Sequence, residues 1–187
     1  RMVEEFPDQY AFKYTTLDYT RTYAQFREDV DHAAAALISL GVKPGHHVSI
    51  WATNIPQWFI TFWATVKIGA VLVTVNTAYK IHEIEYLLRQ SDTCTLVMID
   101  KFKDSDYIQI INEICPELKD SEPGKLEAAR LPVLKNVMVC FIVTLTFLGH
   151  ALLFRNHVII NQSSDLVNFQ HDQSPSSTGS TGMSVSS

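Results

Sequence analysis

The residues best suited to chemistry stand near the end of the chain, where Ser177-Thr178-Gly179-Ser180-Thr181-Gly182 alternates hydroxyls with glycines. Glycines let backbone amides approach oxygens and point at them, and hydroxyls add donors, so such a loop suits a triphosphate. A lysine normally supplies the compensating charge, and the residues that follow, Met183-Ser184-Val185-Ser186, contain none. Composition alone gives Ser174–Ser187 a second reading, a disordered tail of low hydrophobicity. Elsewhere, Lys80, Arg89 and Lys101 could guide an acidic ligand, although as isolated charges they also read as ordinary surface residues. His46-His47 invites a metal pair, but adjacent residues on a strand point apart and no third ligand lies nearby, so a solvated turn is expected. His150 and His157 are seven residues apart and share a face only if a helix runs past Arg155. Glu83 and Glu85 resemble paired carboxylates, but residues two apart on a helix do not face each other, and both are expected toward solvent. Trp51, Trp58, Phe59, Phe62 and Trp63 read as core rather than as a cofactor box.

Elements must position these groups, and the composition is consistent with a packed domain. The 187 residues suit one domain or one domain and a tail, and 47% of them are hydrophobic, enough for a core. A formal net charge of -5 offers nothing to a phosphate backbone, which argues against nucleic acid as a partner. The three cysteines, Cys94, Cys115 and Cys140, form no CxxC pair and fit a reducing compartment as small apolar packing residues. The chain opens on Arg1, as a fragment would, and no apolar secretory segment follows Glu4 and Glu5.

Periodicity then predicts alternating strands and helices. Tyr10–Tyr14 alternates as a strand, and Thr16–Thr20 reads as a polar turn. Thr22-Tyr23-Ala24-Gln25 has the form of a capping box, opening a helix with Phe26, Val30, Ala33, Ala34, Leu37 and Ile38 on one face and Gly41 as its stop. After the turn Lys43-Pro44-Gly45, Val48–Trp51 is a strand, and Asn54 is a candidate cap for a helix with Pro56 in its first turn. Trp58 and Phe62, four apart, are expected to face the sheet. The valine-rich run Ala70–Val75 predicts a strand buried on both faces. Glu83–Arg89 predicts a helix, Leu96–Ile99 a strand, and Ser105 a cap for a last helix over 106–114, ended by Pro116. Strands separated by helices of this length predict an α/β fold, a parallel sheet with helices on its faces and right-handed crossovers. Lys119–Arg130 reads as a surface loop, while Val137–Phe154 is almost wholly apolar. That run has the length of a marginal membrane span, although its Val, Ile, Thr and Phe content suits a buried strand pair. No G-x-G-x-x-G turn follows a predicted strand, which argues against a nicotinamide dehydrogenase, and no G-x-S-x-G elbow points to a hydrolase.

Read in order, Thr22-Tyr23-Ala24-Gln25-Phe26, Leu40-Gly41-Val42-Lys43-Pro44-Gly45, Trp51-Ala52-Thr53-Asn54 with Trp58, Ala64–Ala70, Val75-Asn76-Thr77-Ala78-Tyr79, Glu85-Tyr86-Leu87-Leu88, Phe102–Tyr107, Cys115-Pro116-Glu117-Leu118 and Arg130-Leu131-Pro132 resemble the AMP-forming acyl-CoA synthetases of the adenylate-forming ligase superfamily. The resemblance covers Arg21–Val137 and is nearest to the medium-chain or broad-range fatty acyl-CoA ligases. His46-His47 and Thr77 depart from the family's usual residues at positions without chemistry. Ser177–Gly182 resembles the family's phosphate loop, but Val185 stands where the family places lysine, and the span between Val137 and Asp165 looks unlike the family. A frameshift, an unspliced segment or a mispredicted gene end would each give this pattern.

The resemblance implies a ligase that uses ATP and magnesium to convert a fatty acid to an acyl-adenylate, which CoA then captures as a thioester. It implies no catalytic or metal residue within this chain, and a degenerate phosphate site at Ser177, Thr178, Gly179, Ser180, Thr181 and Gly182. The expected organisation is an amino-terminal part of an AMP-binding domain over 1–137, a divergent apolar segment and linker over 138–170, and a Ser/Thr/Gly-rich tail over 171–187. By itself the chain is expected to be inactive and to hold ATP, magnesium and CoA at best weakly. The alternative is a non-catalytic interaction or membrane-associated module. The compartment implied is the cytoplasm, with the mitochondrial matrix or a membrane as alternatives.

Overall fold

The computed structural model describes residues 1–122 and 124–140. A short helix α1 (Met2–Glu5) leads into an antiparallel hairpin of β1 (Tyr10–Tyr14) and β2 (Tyr19–Thr22). Helix α2 (Tyr23–Ser39), strand β3 (His47–Trp51), helix α3 (Pro56–Lys67), strand β4 (Val71–Thr74), helix α4 (Ile81–Gln90) and strand β5 (Thr93–Met98) follow. A small hairpin, β6 (Lys101–Phe102) with β7 (Ser105–Asp106), precedes helix α5 (Tyr107–Ile114), and strand β8 (Asn136–Val139) comes last.

The main sheet has the order β4-β3-β5-β8 and every pairing in it is parallel, as the strand–helix alternation predicts. The chain adds β4 on one side of β3 and then crosses to β5 on the other. Helices α2 and α3 pack together on one face, and α4 and α5 pack together. A tight space lined by Ala33, Leu37, Thr61, Val97 and Met138 shows which sheet residues meet α2 and α3. Strand alternation then turns Ser49, Trp51, Leu96 and Met98 to the opposite face. The core is centred on Val48, Ile50, Trp51, Ile60, Ile84, Leu88, Leu96, Met98, Tyr107 and Ile111, all buried.

Local chemistry explains the element ends. The capping box at Thr22 forms: Gln25 N–H donates to Thr22 Oγ1 at 3.3 Å and Thr22 N–H donates to Gln25 Oε1 at 3.0 Å. Gly41 adopts φ +82, the left-handed stop, and Val42 N–H reaches back to the Leu37 carbonyl at 3.1 Å. Thr16–Thr20 is not a simple turn: its last two residues open β2, because the aromatic and β-branched run Tyr19–Thr22 can pair with β1.

Other expectations are corrected. Helix α3 is capped at Ile55 and not at Asn54, and Pro56 takes its first position. Its buried residues are Pro56, Ile60, Thr61, Ala64 and Thr65, so Trp58 and Phe62 lie at the margin of the core, half-buried and stacked on each other with ring centres 6.0 Å apart. The reason is the phase at which Pro56 starts the helix: the small and branched residues, not the wide rings, fit against α2 and the sheet. Ile38 is 58% exposed, beyond the stripe of α2 that meets the sheet. Strand β4 is at the edge of the described sheet and not buried on both faces, with Val71 45% exposed. Ser105 does not cap α5. Asp106 does, its Oδ1 accepting from Gln109 N–H at 2.8 Å. The segment 119–130 is anchored and not a free surface loop, with Leu126 and Ala128 buried.

Candidate functional site

In an open parallel sheet, ligands gather outside the carboxyl ends of the strands, where the chain order reverses. Here that point lies between β3 and β5. It is framed by residues 52–55 after β3, the segment Val75–Lys80 after β4, and Ile99–Asp106 after β5.

Two aromatic rings fill the position. Trp51, the last residue of β3, stacks on Tyr107, the first of α5, with ring centres 3.6 Å apart and planes 8° from parallel. Both are fully buried. Each carries a polar tip, and each tip finds a carbonyl in the same segment: Trp51 Nε1–H donates to Asn76 O at 3.1 Å and Tyr107 Oη–H donates to Thr77 O at 2.7 Å. Asn76 Oδ1 accepts from Ala78 N–H at 2.9 Å and closes the turn from within. Burial pushes the Tyr107 phenol up to about 12, so it remains a neutral donor at physiological pH. The pair therefore ties the ends of β3 and β4 to the start of α5 and holds Asn76-Thr77 rigidly beside the switch point. In the sequence, Trp51 and Asn76 stand within motifs and Tyr107 belongs to the apolar set of α5. What brings them together is tertiary.

Lys80, Lys101 and Arg89 do not form a cluster here. Lys80 Nζ donates to Ser105 Oγ at 2.5 Å and lies 3.6 Å from Asp104 Oδ2. Lys101 is exposed on β6. Arg89 is elsewhere: its Nη2 donates to Glu85 Oε1 and to Arg130 O, both at 2.9 Å. The three do not converge on one anion.

Glu85 corrects another expectation. Its side chain is only 15% exposed and is paired with both Arg89 and Arg130. Arg130 grips it with two donors, Nε to Oε1 at 3.0 Å and Nη2 to Oε2, while Arg130 Nη1 donates to Glu113 O at 3.2 Å. The Arg130 guanidinium holds the Glu85 carboxyl below the usual carboxylate range. Local spacing gave no sign of this, because the partner lies 45 residues away. Glu83 is exposed as expected, and it accepts from Lys80 N–H at 3.2 Å at the start of α4.

His46 and His47 lie at the other end of the sheet, in turn and strand positions. His46 Nδ1 accepts from Lys43 N–H at 3.2 Å, and His47 Nδ1–H donates to Ser91 O at 2.5 Å. No group of three or more His, Cys, Asp or Glu among the described residues could hold a metal. Cys115 and Cys140 are buried, and burial pushes both thiols up to about 12. Ser177–Gly182, Val185, His150 and His157 lie outside the described residues, as does the apolar run beyond Cys140. No helix of the described residues is long and apolar enough to cross a membrane.

With this geometry in hand, comparison with known proteins gives a consistent picture. Residues 1–139 match the family described as AMP-binding enzyme. The chain is 43% identical over 135 residues to YngI of Bacillus subtilis, whose name places it among acyl-CoA synthetases, covering 72% of this chain and 25% of that protein. It is 37% identical over 137 residues to the mitochondrial medium-chain acyl-CoA ligase ACSF2 of Danio rerio, covering 73% of this chain and 23% of that one. Among solved structures, it resembles the anthranilate CoA ligase AuaEII in complex with anthranoyl-AMP at a TM-score of 0.60 and 24% identity, over 74% of this chain and 23% of that chain. A Mycobacterium tuberculosis fatty acyl CoA synthetase gives 0.60 and 20%, over 73% and 24%. The chain thus spans about a quarter of the length of the curated relatives it matches.

Proposed function

This chain belongs to the AMP-binding enzyme family, and on that premise we propose that it is the amino-terminal part of the nucleotide-binding domain of an ATP-dependent fatty acyl-CoA synthetase. The reaction is two-step. A fatty carboxylate attacks the α-phosphate of ATP, giving acyl-adenylate and releasing pyrophosphate, and the CoA thiol then displaces AMP to form the thioester. The observation that carries the reading is the continuous match over residues 1–139, with relatives named as acyl-CoA synthetases or ligases along it.

The described residues contribute framework to that reaction. The Trp51–Tyr107 pair, the Asn76–Lys80 turn and the β6–β7 hairpin form a fixed wall at the carboxyl edge of the sheet. ATP, magnesium and CoA act at the whole enzyme, and no described carboxylate cluster is available to hold the metal. We further infer that Ser177–Gly182 is a degenerate phosphate loop, and that the organisation is 1–137, 138–170 and 171–187 as its composition divides it. The sequence by itself leads to the cytoplasm as the expected compartment. The word mitochondrial in the names of the ACSF2 relatives supports the alternative, the mitochondrial matrix.

A graft tests the reading. Residues 1–139 replace the matching quarter of Bacillus subtilis YngI, and the chimera is assayed for pyrophosphate exchange into ATP and for acyl-CoA formation with a series of fatty acids. Fatty-acid-dependent exchange and thioester formation above those of a chimera carrying Trp51→Ala are expected. A folded, inactive chimera beside active YngI would overturn the proposal.

A further inference from the structure

The segment Val75–Lys80 is tied to the buried aromatic pair through its backbone. Asn76 O accepts from two donors, Trp51 Nε1–H at 3.1 Å and Tyr79 N–H at 3.1 Å. Thr77 O, one residue on, accepts from Tyr107 Oη–H at 2.7 Å. Two consecutive carbonyls are thus drawn toward two stacked, fully buried rings. In a regular strand they would point to opposite sides. At the far end of the segment, Lys80 Nζ donates to Ser105 Oγ at 2.5 Å and fixes the turn to β7.

The peptide plane converts this inward anchoring into an outward donor. The described peptide bonds are all trans. In a trans peptide the C=O of one residue and the N–H of the next point in opposite directions. Asn76 O faces Trp51, so Thr77 N–H faces away from the rings, on the side where Asn76 and Ala78 stand exposed. It makes no hydrogen bond to a described residue. Thr77 O faces Tyr107, so Ala78 N–H also turns outward, and there Asn76 Oδ1 takes it at 2.9 Å. Thr77 N–H is left as a donor without a partner among the described residues, held by two buried anchors, one on each side of its residue.

We propose that Tyr107, with Trp51, is a positioning residue of the ligase: by holding the carbonyls of Thr77 and Asn76 inward, the pair keeps the Thr77 amide turned out at the switch point, where it donates to a phosphate oxygen of a nucleotide substrate. This rests on the ligase reading above. A backbone amide fixed in advance binds such an oxygen without ordering a side chain. Lys80 is already engaged by Ser105 and Asp104, so the neutral amide, and not that ammonium, is the donor this turn has to offer. ATP and CoA both carry phosphates, and a fatty acid carries none. Tyr107 itself touches no substrate and acts through Thr77.

The test uses the YngI chimera that carries residues 1–139. Hydrogen exchange of the Thr77 amide is followed with ATP and magnesium, with CoA, and with a fatty acid alone. Protection of about fivefold or more by ATP or by CoA, and none by the fatty acid, is expected. Kinetic constants are then measured for Tyr107→Phe, which keeps the stack and removes the hydroxyl, and for Thr77→Pro, which removes the N–H and keeps the carbonyl. Each should raise KM for the protecting nucleotide by about threefold or more, at nearly unchanged kcat and unchanged KM for the fatty acid. The double variant should be no worse than Thr77→Pro alone, because Tyr107 acts through Thr77. Tyr19→Phe, which removes a phenol bonded to Asp29 in the amino-terminal hairpin, should change none of these constants. An amide that neither nucleotide protects, equal changes in all three KM values, additive effects, or the same KM change in Tyr19→Phe would each overturn the proposal. Should Thr77→Pro fail to fold, the exchange measurement and Tyr107→Phe decide. An inactive parent chimera counts against the ligase reading, while exchange at Thr77 still decides this proposal, so the two failures are distinguishable.

Discussion

At the scale of the residue, the described structure concentrates its exceptions in a few side chains. Thr61 and Thr65 sit one turn apart on α3, 2% and 0% exposed, and neither hydroxyl has a hydrogen-bond partner among the described residues. A buried donor without a partner carries its desolvation cost uncompensated. Thr65→Val keeps the shape and removes the hydroxyl, and should raise stability by about 1 kcal/mol, read as a higher urea midpoint at unchanged slope. A loss of stability would show that Thr65 has a partner. Glu85 gives a pH dependence. Its folded pKa lies below the unfolded value because Arg130 holds the charged form. The pair therefore stabilises the fold above the unfolded pKa, and that stability is lost as pH falls through the folded one. Urea midpoints measured from pH 7 to pH 3 should fall less steeply in Glu85→Gln than in the parent, and the two curves should converge at the acid end. Parallel curves would remove Glu85 from the account. None of this was legible locally: Glu85 looked like a solvent carboxylate until folding brought Arg130 to it from 45 residues away.

At the scale of the element, the main helices and the strands they separate were legible, whereas α1, β2 and the β6–β7 hairpin were not, and neither was orientation. The strands at Val48, Val71 and Leu96 and the helices between them follow from period and from Gly41, Pro56 and Pro116 as punctuation. Which face of α3 is buried does not follow, because nearly every residue from Trp58 to Val66 is apolar and the helix has no polar side to mark its phase. Packing against α2 and the sheet selected Ile60 and Ala64 and left Trp63 and Val66 outside. Ile60→Ala should then cost about 2–5 kcal/mol, measured by chemical denaturation. Phe62→Ala, removing a larger but half-buried ring, should cost less. The reverse order would return the sheet-facing role to Trp58 and Phe62. In the same way, the valine content of β4 predicts a strand but not whether a neighbour covers it.

At the scale of the molecule, the chain spans about a quarter of the length of its curated relatives, and the prediction for activity is negative. The purified 187-residue chain should exchange no pyrophosphate into ATP with any fatty acid, and Val185→Lys should rescue nothing. Adenylation requires charge compensation on the triphosphate by positioned donors, and one restored lysine supplies only one of them. Exchange above background that depends on fatty acid and disappears with EDTA would show a complete site in this chain. The amino-acid sequence by itself determined the α/β class, the order of elements and the kinship with acyl-CoA synthetases, since these depend on local periodicity, turn residues and motifs held in register along the chain. Tertiary structure alone decided that Trp51 and Tyr107 close the switch point onto Asn76 and Thr77, that Arg130 captures Glu85, and that β4 lies at the edge of the described sheet. Those outcomes depend on residues tens of positions apart meeting in space, and on which strand lies next to which, and neither is encoded in the spacing of any one segment.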